Sequence, residues 1–352
     1  MPMTRPRRSR SRTREPVWAE YDDAELLELR FRDLKLSIAG TWLEDQLAAL
    51  HRELAEKGLR VRAHAWLSTE WFSPHDTPGI AIPFYLAHPR LARLERKLIL
   101  EVEGGTQREC MRILRHEAGH VVQRAFGLHR RRRWRELFGS ASKPYPDHYR
   151  PNPASRRYVQ HLRRWYAQCH PDEDFAETFA VWLTPRSNWR TRYGGWPALK
   201  KLEYVDELMN ELSGVKPPAK PRTQMEPLRS LNTTLGEHYR EKRERFAVEA
   251  PSIFDRELLR IFSTDRRHRD APLASRVIRK HRGKIMRAVS HQTGEYPLAL
   301  DAALEDILQR LRILKLRAVG SESRMRLELT ALLSAKAVTS LYSAGRGQIF
   351  AV

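Results

Sequence analysis

Two histidines four residues apart, with a glutamate directly after the first, form the part of this sequence best suited to chemistry. They are His116, Glu117 and His120, in the pattern HExxH. Four residues make slightly more than one helical turn, so both imidazoles project from one helix face and can bind one small cation. Glu117 then points toward the water that such a cation activates. A T-x-x-E capping box at Thr106 predicts a helix that runs from there to about Phe126.

A catalytic zinc needs a third protein ligand beside two histidines, with one position left open for water. The pattern HExxHxxGxxH does not supply it, because Gln123 and Phe126 stand where that pattern has glycine and histidine. Glu173 and Glu177 are the other candidates, since they lie one turn apart on a predicted helix. We expect Glu173 to ligate zinc and Glu177 to accept the second imidazole N–H of His116. The competing interpretation is that acidic residues in a first turn only stabilise the helix dipole.

The segment HEAGH, followed by DEDFAETFAVWL, resembles the bacterial putative zinc-binding metallopeptidases, a gluzincin group named for its glutamate third ligand. Its E-x-F-A-E core is also similar to the third-ligand helix of the anthrax lethal factor family. The resemblance covers about residues 95 to 190. It implies that Glu173 binds zinc and that Glu177 supports a histidine. It also implies a role for Tyr166, which stands seven residues before Glu173, as a tyrosine does in the lethal factor pattern.

Tyr166 has two interpretations. Its hydroxyl could donate a hydrogen bond to the oxyanion that develops during acyl chemistry. Alternatively, it completes a stripe at helical spacing with Tyr158, Leu162 and Trp165, and such stripes usually pack in a core. Together with the ligands, these residues predict a zinc-dependent peptide-bond hydrolase that uses one zinc per chain, a zinc-activated water and Glu117 as general base.

The composition limits the partners and the compartment. The net charge of +21 can attract nucleic acid, but aromatic residues do not interleave with the basic clusters as they do on a base-stacking platform. We therefore expect a peptide or protein substrate rather than nucleic acid. No apolar run is long enough to span a bilayer, and two cysteines are too few for a disulfide scaffold, so a cytoplasmic location is expected. The alternatives are a non-catalytic zinc-containing interaction protein, or a nucleic-acid-binding protein that uses its basic surface.

The order of elements predicts an α+β, zincin-like fold. A small mixed sheet should pack on the HExxH helix, followed by a mainly helical subdomain and a helical C-terminal region. Strands are predicted at 29–38, 59–67 and 79–87, and helices at 41–57, 155–167, 172–183 and 198–212. The predicted organisation is a disordered basic arm at 1–18, a metallopeptidase domain at 19–214, a proline-rich linker at 215–227 and a helical region at 228–352.

Overall fold

The computed structural model describes residues 15–75, 77–146, 149, 151–218, 223–246 and 255–343. Most of the predicted basic arm, residues 1–14, and the middle of the predicted linker, residues 219–222, lie outside the described residues. The strands are β1 (His64–Ser68) and β2 (Gly79–Pro83). The helices before the linker are α1 (Asp23–Leu27), α2 (Trp42–Glu56), α3 (Pro89–Ile99), α4 (Gln107–Phe126), α5 (Arg132–Phe138), α6 (Pro171–Leu183), α7 (Trp189–Arg192) and α8 (Ala198–Glu211). Those after it are α9 (Leu235–Phe246), α10 (Asp255–Ile261), α11 (Ala274–Thr293), α12 (Pro297–Ile313) and α13 (Glu322–Ser343).

The sheet is smaller than predicted. β1 and β2 pair in parallel, in a register that sets Trp66 opposite Ala81. Phe72 adds one antiparallel bridge to β2, where the N–H of Ala81 donates to the Phe72 carbonyl at 2.8 Å. Among the described residues, the predicted mixed sheet is therefore a parallel pair with one antiparallel bridge. The predicted α+β class holds, because helices and this small sheet share one core.

The predicted strand at 29–38 is wrong. The chain forms a 3₁₀ helix there, Phe31–Leu34, which ends at Lys35 with a φ of 48°. Phe31 and Leu34 are both buried, and their spacing of three residues matches one turn of a 3₁₀ helix rather than strand alternation. The predicted strand at 79–87 also ends early, since Phe84–Ala87 forms a second 3₁₀ helix.

Two helices cross at the centre of the first part of the chain. α4 begins after Thr106, whose side chain accepts the N–H of Glu109, and it ends at Gly127 with a φ of 63°. It packs against α6, and also against α2 and β2. The crossing with α6 depends on Gly119, because a Cβ there would lie only 2.8 Å from Cα of Ala176. The missing side chain thus lets the two helix backbones approach closely.

The segment before α6 is not the predicted helix at 155–167. The chain is irregular up to a short 3₁₀ segment, Arg163–Gln168. A buried carboxylate explains this, because Oε2 of Glu177 accepts the backbone N–H groups of His161 at 3.2 Å and Leu162 at 2.8 Å. A helix would use those N–H groups for its own hydrogen bonds. The helical stripe predicted around Tyr166 therefore does not form.

The described residues form two apolar cores. The first contains the sheet, α4 and α6, and it extends to Leu235 and Tyr239 of α9, although α9 follows the predicted linker. The second is built by α10 to α13. The two parts meet at Arg164, whose guanidinium lies 3.4 Å from the ring centroid of Tyr296 and donates to the carbonyl of Gly294. No helix among the described residues combines the length and the apolar character that crossing a membrane requires.

Candidate metal centre

Three of the candidate side chains converge between α4 and α6. Nε2 of His116 and Nε2 of His120 lie 2.9 and 3.3 Å from Oε2 of Glu173, and 3.2 Å from each other. All three residues are buried, and their ligand atoms lie within 4.8 Å of one another. A tetrahedral zinc with bonds of about 2.0–2.2 Å holds its ligand atoms roughly 3.3 to 3.6 Å apart. This donor set therefore fits zinc after only small outward shifts.

Glu173 is fixed from both of its sides. It lies in the first turn of α6, where His170 caps the helix by accepting the N–H of Asp172 on Nδ1 at 3.1 Å. Its Oε1 accepts the hydroxyl of Tyr145 at 2.8 Å, and Tyr145 in turn stacks on His170 with ring centroids 3.9 Å apart. No sequence pattern points to Tyr145, which lies in irregular chain 28 residues before Glu173.

Glu177 sets the orientation of His116. The Nδ1–H of His116 donates to Oε1 of Glu177 at 2.9 Å, so Nε2 faces Glu173. The other oxygen of Glu177 accepts the two backbone N–H groups described above, which fixes the carboxylate in place. This is the arrangement by which an outer carboxylate orients a metal-binding imidazole.

Burial and charge together determine the protonation of these groups. Burial disfavours the imidazolium of His116, but the hydrogen bonds to Glu173 and Glu177 outweigh it and raise its pKa well above the usual range. Burial also opposes ionisation of Glu173, but His120 and His116 outweigh it and hold its pKa well below the usual range. Glu173 is therefore an anionic carboxylate, which is the form that binds metals.

Glu117 and Tyr166 face the same space as the three ligands. Glu117 is 6% exposed, and its Oε2 is buried with no hydrogen-bond partner in the described part of the chain. The ring centroid of Tyr166 lies 5.6 Å from that of His116. Burial and the charge of Glu173 raise the pKa of Tyr166 well above its usual value, so the hydroxyl keeps its proton. Both groups can thus reach a molecule held beside the ligands.

Two cavities meet at this group of residues. Their volumes are about 220 and 180 Å³. Both are lined by Trp71, Tyr166, His116 and Glu117. The smaller one continues along residues 71–75. Arg124 of α4 holds that segment in place by donating to the carbonyl of Ser73. The first histidine and the glutamate of the HExxH pattern, together with Tyr166, therefore border both spaces.

A buried His–His–Glu group with a second glutamate on the HExxH helix is the arrangement of zinc metallopeptidases. Residues 92–195 match the model of a family described as putative zinc-binding metallo-peptidase. The matched range contains all of the ligand candidates as well as Glu117, Tyr166 and Glu177, and the predicted resemblance to putative zinc-binding metallopeptidases is confirmed over it. No curated protein and no solved structure matches the chain.

Proposed function

We propose that the chain is a gluzincin-type zinc-dependent peptide-bond hydrolase. The observation that carries this proposal is a juxtaposition: three buried ligand atoms converge within 4.8 Å, and the partnerless carboxylate oxygen of Glu117 lies on the same helix. A site that only stabilised a fold would have no use for that carboxylate, because structural zinc sites close their coordination with a fourth protein ligand. The family match over residues 92–195 agrees with this activity.

His116, His120 and Glu173 would hold one zinc per chain. When bound, zinc supplies a Lewis acid that polarises the scissile carbonyl and acidifies a water. Glu117 takes a proton from that water as its oxygen bonds to the carbonyl carbon. Glu117 then delivers the proton to the amide nitrogen as the carbon–nitrogen bond breaks, which leaves a free carboxyl group and a free amine.

Tyr166 would donate a hydrogen bond to the carbonyl oxygen as it gains negative charge. Its high pKa favours this role, because a tyrosine that stays neutral can donate. Tyr145, in contrast, already donates to the ligand Glu173 and would act by positioning it. The two tyrosines thus have separable roles.

A peptide is the substrate that the surroundings favour. Glu117 and Tyr166 line both cavities, so an extended chain could place residues in both while its scissile bond lies beside these two side chains. Their combined lining offers aromatic side chains together with polar and charged ones, a mixture that is common in ligand-binding clefts.

The test of this function is the variant Glu117→Gln, compared with wild type on a randomised peptide mixture whose products are read by mass spectrometry. The variant should retain zinc and lose activity by a factor of about 10² to 10⁴, the usual contribution of a general base. Glu136→Gln is the matched control, since Glu136 is an exposed residue of α5 paired with Arg132. Cleavage by Glu117→Gln at the wild-type rate would refute the mechanism.

A further inference from the structure

The larger of the two cavities is acidic, although the chain as a whole carries a net charge of +21. Beyond Glu117, the residues that line it include the glutamates Glu70, Glu95, Glu101, Glu103, Glu109 and Glu295. The basic residues that line it are His116 and four others, namely Arg112, Arg163, Arg164 and Lys242. Carboxylates outnumber basic side chains in this cavity, so it attracts cations although the net charge of the whole protein is positive.

Most of these carboxylates already have a partner. Lys242 lies 3.0 Å from Oε1 of Glu70 and 3.0 Å from Oε1 of Glu95, so one ammonium serves two carboxylates. The guanidinium of Arg164 lies 3.6 Å from Glu295. These pairs fix the walls of the cavity and leave little charge for a ligand.

Glu103 is the exception. Arg163 is shared between Glu101 at 3.0 Å and Glu109 at 3.8 Å. Glu103, in contrast, forms no ion pair with any residue that the structure describes. The residue as a whole is exposed, but burial of its carboxyl and the nearby charge of Glu70 raise the pKa of that carboxyl to about 7. A positive charge placed beside it would favour its ionised form. Arg112, the remaining arginine of the lining, forms no ion pair with Glu103 either, among the residues that the structure describes.

A tight turn fixes the position of Glu103. The N–H of Gly105 donates to the carbonyl of Val102 at 3.0 Å, and Gly104 has a φ of 71°. That φ suits glycine at the third position of such a turn. A Cβ on Gly104 would also lie 3.0 Å from the ring of Trp71, so the turn packs directly on the cavity wall. Glu103 is therefore held at the corner of the turn rather than on a free loop.

A second, independent feature of the cavity also indicates a ligand-binding site. Tyr85 lines it and is fully buried, and its hydroxyl has no hydrogen-bond partner among the described residues. A buried hydroxyl without a partner loses free energy that a ligand could restore. Burial and the nearby glutamates, Glu103 among them, raise the pKa of Tyr85 well above its usual value, so it stays neutral and can accept a hydrogen bond from an ammonium.

We infer that this cavity is the subsite for a lysine or arginine side chain of the peptide substrate. Glu103 pairs with the positive charge, and the Tyr85 hydroxyl accepts one of its N–H groups. The volume of about 220 Å³ accommodates a long side chain. The inference rests on the proposed function, because the same cavity is lined by His116, Glu117 and Tyr166.

The first test measures kcat/KM of the zinc-loaded full chain on a neutral host hexapeptide. Lysine, norleucine or glutamate is placed at each position in turn. At one position lysine should be preferred over norleucine by about tenfold, the value of one hydrogen bond to a charged group, and glutamate should be worst. Glu103→Gln should remove this preference, Glu103→Lys should favour glutamate instead, and the control Glu136→Gln should behave as wild type. An unchanged lysine preference in Glu103→Gln would overturn the inference.

A second readout does not depend on catalysis. The same peptides are titrated by calorimetry into Glu117→Gln, alone and combined with Glu103→Gln or Tyr85→Phe, so that no peptide is cleaved, with thermal unfolding as a check that each variant folds. The lysine peptide should bind about tenfold more tightly than the norleucine peptide, and only when Glu103 is present. Binding with this preference but without cleavage by wild type would refute the hydrolase function and keep the subsite. Cleavage without any preference, or equal binding of both peptides, would refute the subsite and keep the function.

Discussion

Glu177 and Glu173 contact opposite edges of one imidazole: Oε1 of Glu177 lies 2.9 Å from Nδ1 of His116, and Oε2 of Glu173 lies 2.9 Å from its Nε2. Because the two glutamates are one turn apart on α6, a single helix both supplies one ligand candidate, Glu173, and orients a second, His116. The position of α6 against α4 therefore determines the geometry of the whole site.

Replacing Glu177 tests this coupling. In Glu177→Gln, an amide NH₂ must face either the two backbone N–H groups of His161 and Leu162 or the single Nδ1–H of His116, and each choice sets a donor against a donor. Zinc affinity should fall by about 10- to 100-fold, as it does when an outer partner of a ligand is removed. Competition with a chromophoric chelator measures it, and Glu136→Gln is the control. Wild-type affinity in Glu177→Gln would contradict the orienting role.

Gly119→Ala tests the close approach of the two helices. The new Cβ would lie 2.8 Å from Cα of Ala176, so α6 must move away from α4, at a cost of about 1–3 kcal/mol in the free energy of unfolding. Gly283→Ala in α11 is the matched control, because its Cβ meets only the end of the Arg287 side chain at 3.6 Å. That change should stabilise by about 0.5–1 kcal/mol through helix propensity. Thermal unfolding of both variants measures the two effects. Equal changes in Tm for Gly119→Ala and Gly283→Ala would argue against the close approach of the helices.

The two tyrosines should respond in different ways. Tyr145→Phe removes the donor to Oε1 of Glu173 and should weaken zinc binding by about tenfold or more. Tyr166→Phe should keep zinc affinity and lower kcat by about 10²–10³, as expected for loss of an oxyanion donor. Zinc titrations and steady-state kinetics on both variants test the assignment. It is contradicted if Tyr166→Phe loses zinc, or if Tyr145→Phe changes kcat alone.

The sequence predicted those parts of the site that follow helical periodicity. The spacing of His116 and His120 puts both rings on one face of α4, and the structure does bring Glu173 and Glu177 to that face. The T-x-x-E box also placed the start of α4 at its observed residue. Local hydrogen bonds and side-chain direction decide these features, so a sequence pattern suffices for them.

Features that depend on contacts between distant segments were not predictable. Tyr145 comes from irregular chain, and nothing in its neighbours points to Glu173. The helix predicted at 155–167 is absent because the carboxylate of Glu177, in α6, accepts two backbone N–H groups of this segment. No local sequence pattern indicates such a hydrogen bond from a distant residue. Arg164 contacts the short connection between α11 and α12. It adopts a φ of 66°, which residues other than glycine rarely adopt.

Metal content tests the central claim most directly. Elemental analysis of the full chain, purified without a histidine tag, should find about one zinc per chain in wild type and in Glu117→Gln. His120→Ala and Glu173→Ala should each lose it, while His291→Ala, which changes an exposed histidine of α11, should keep it. Absence of zinc from the wild type even after reconstitution, or retention of it by both ligand variants, would contradict the proposed metal centre.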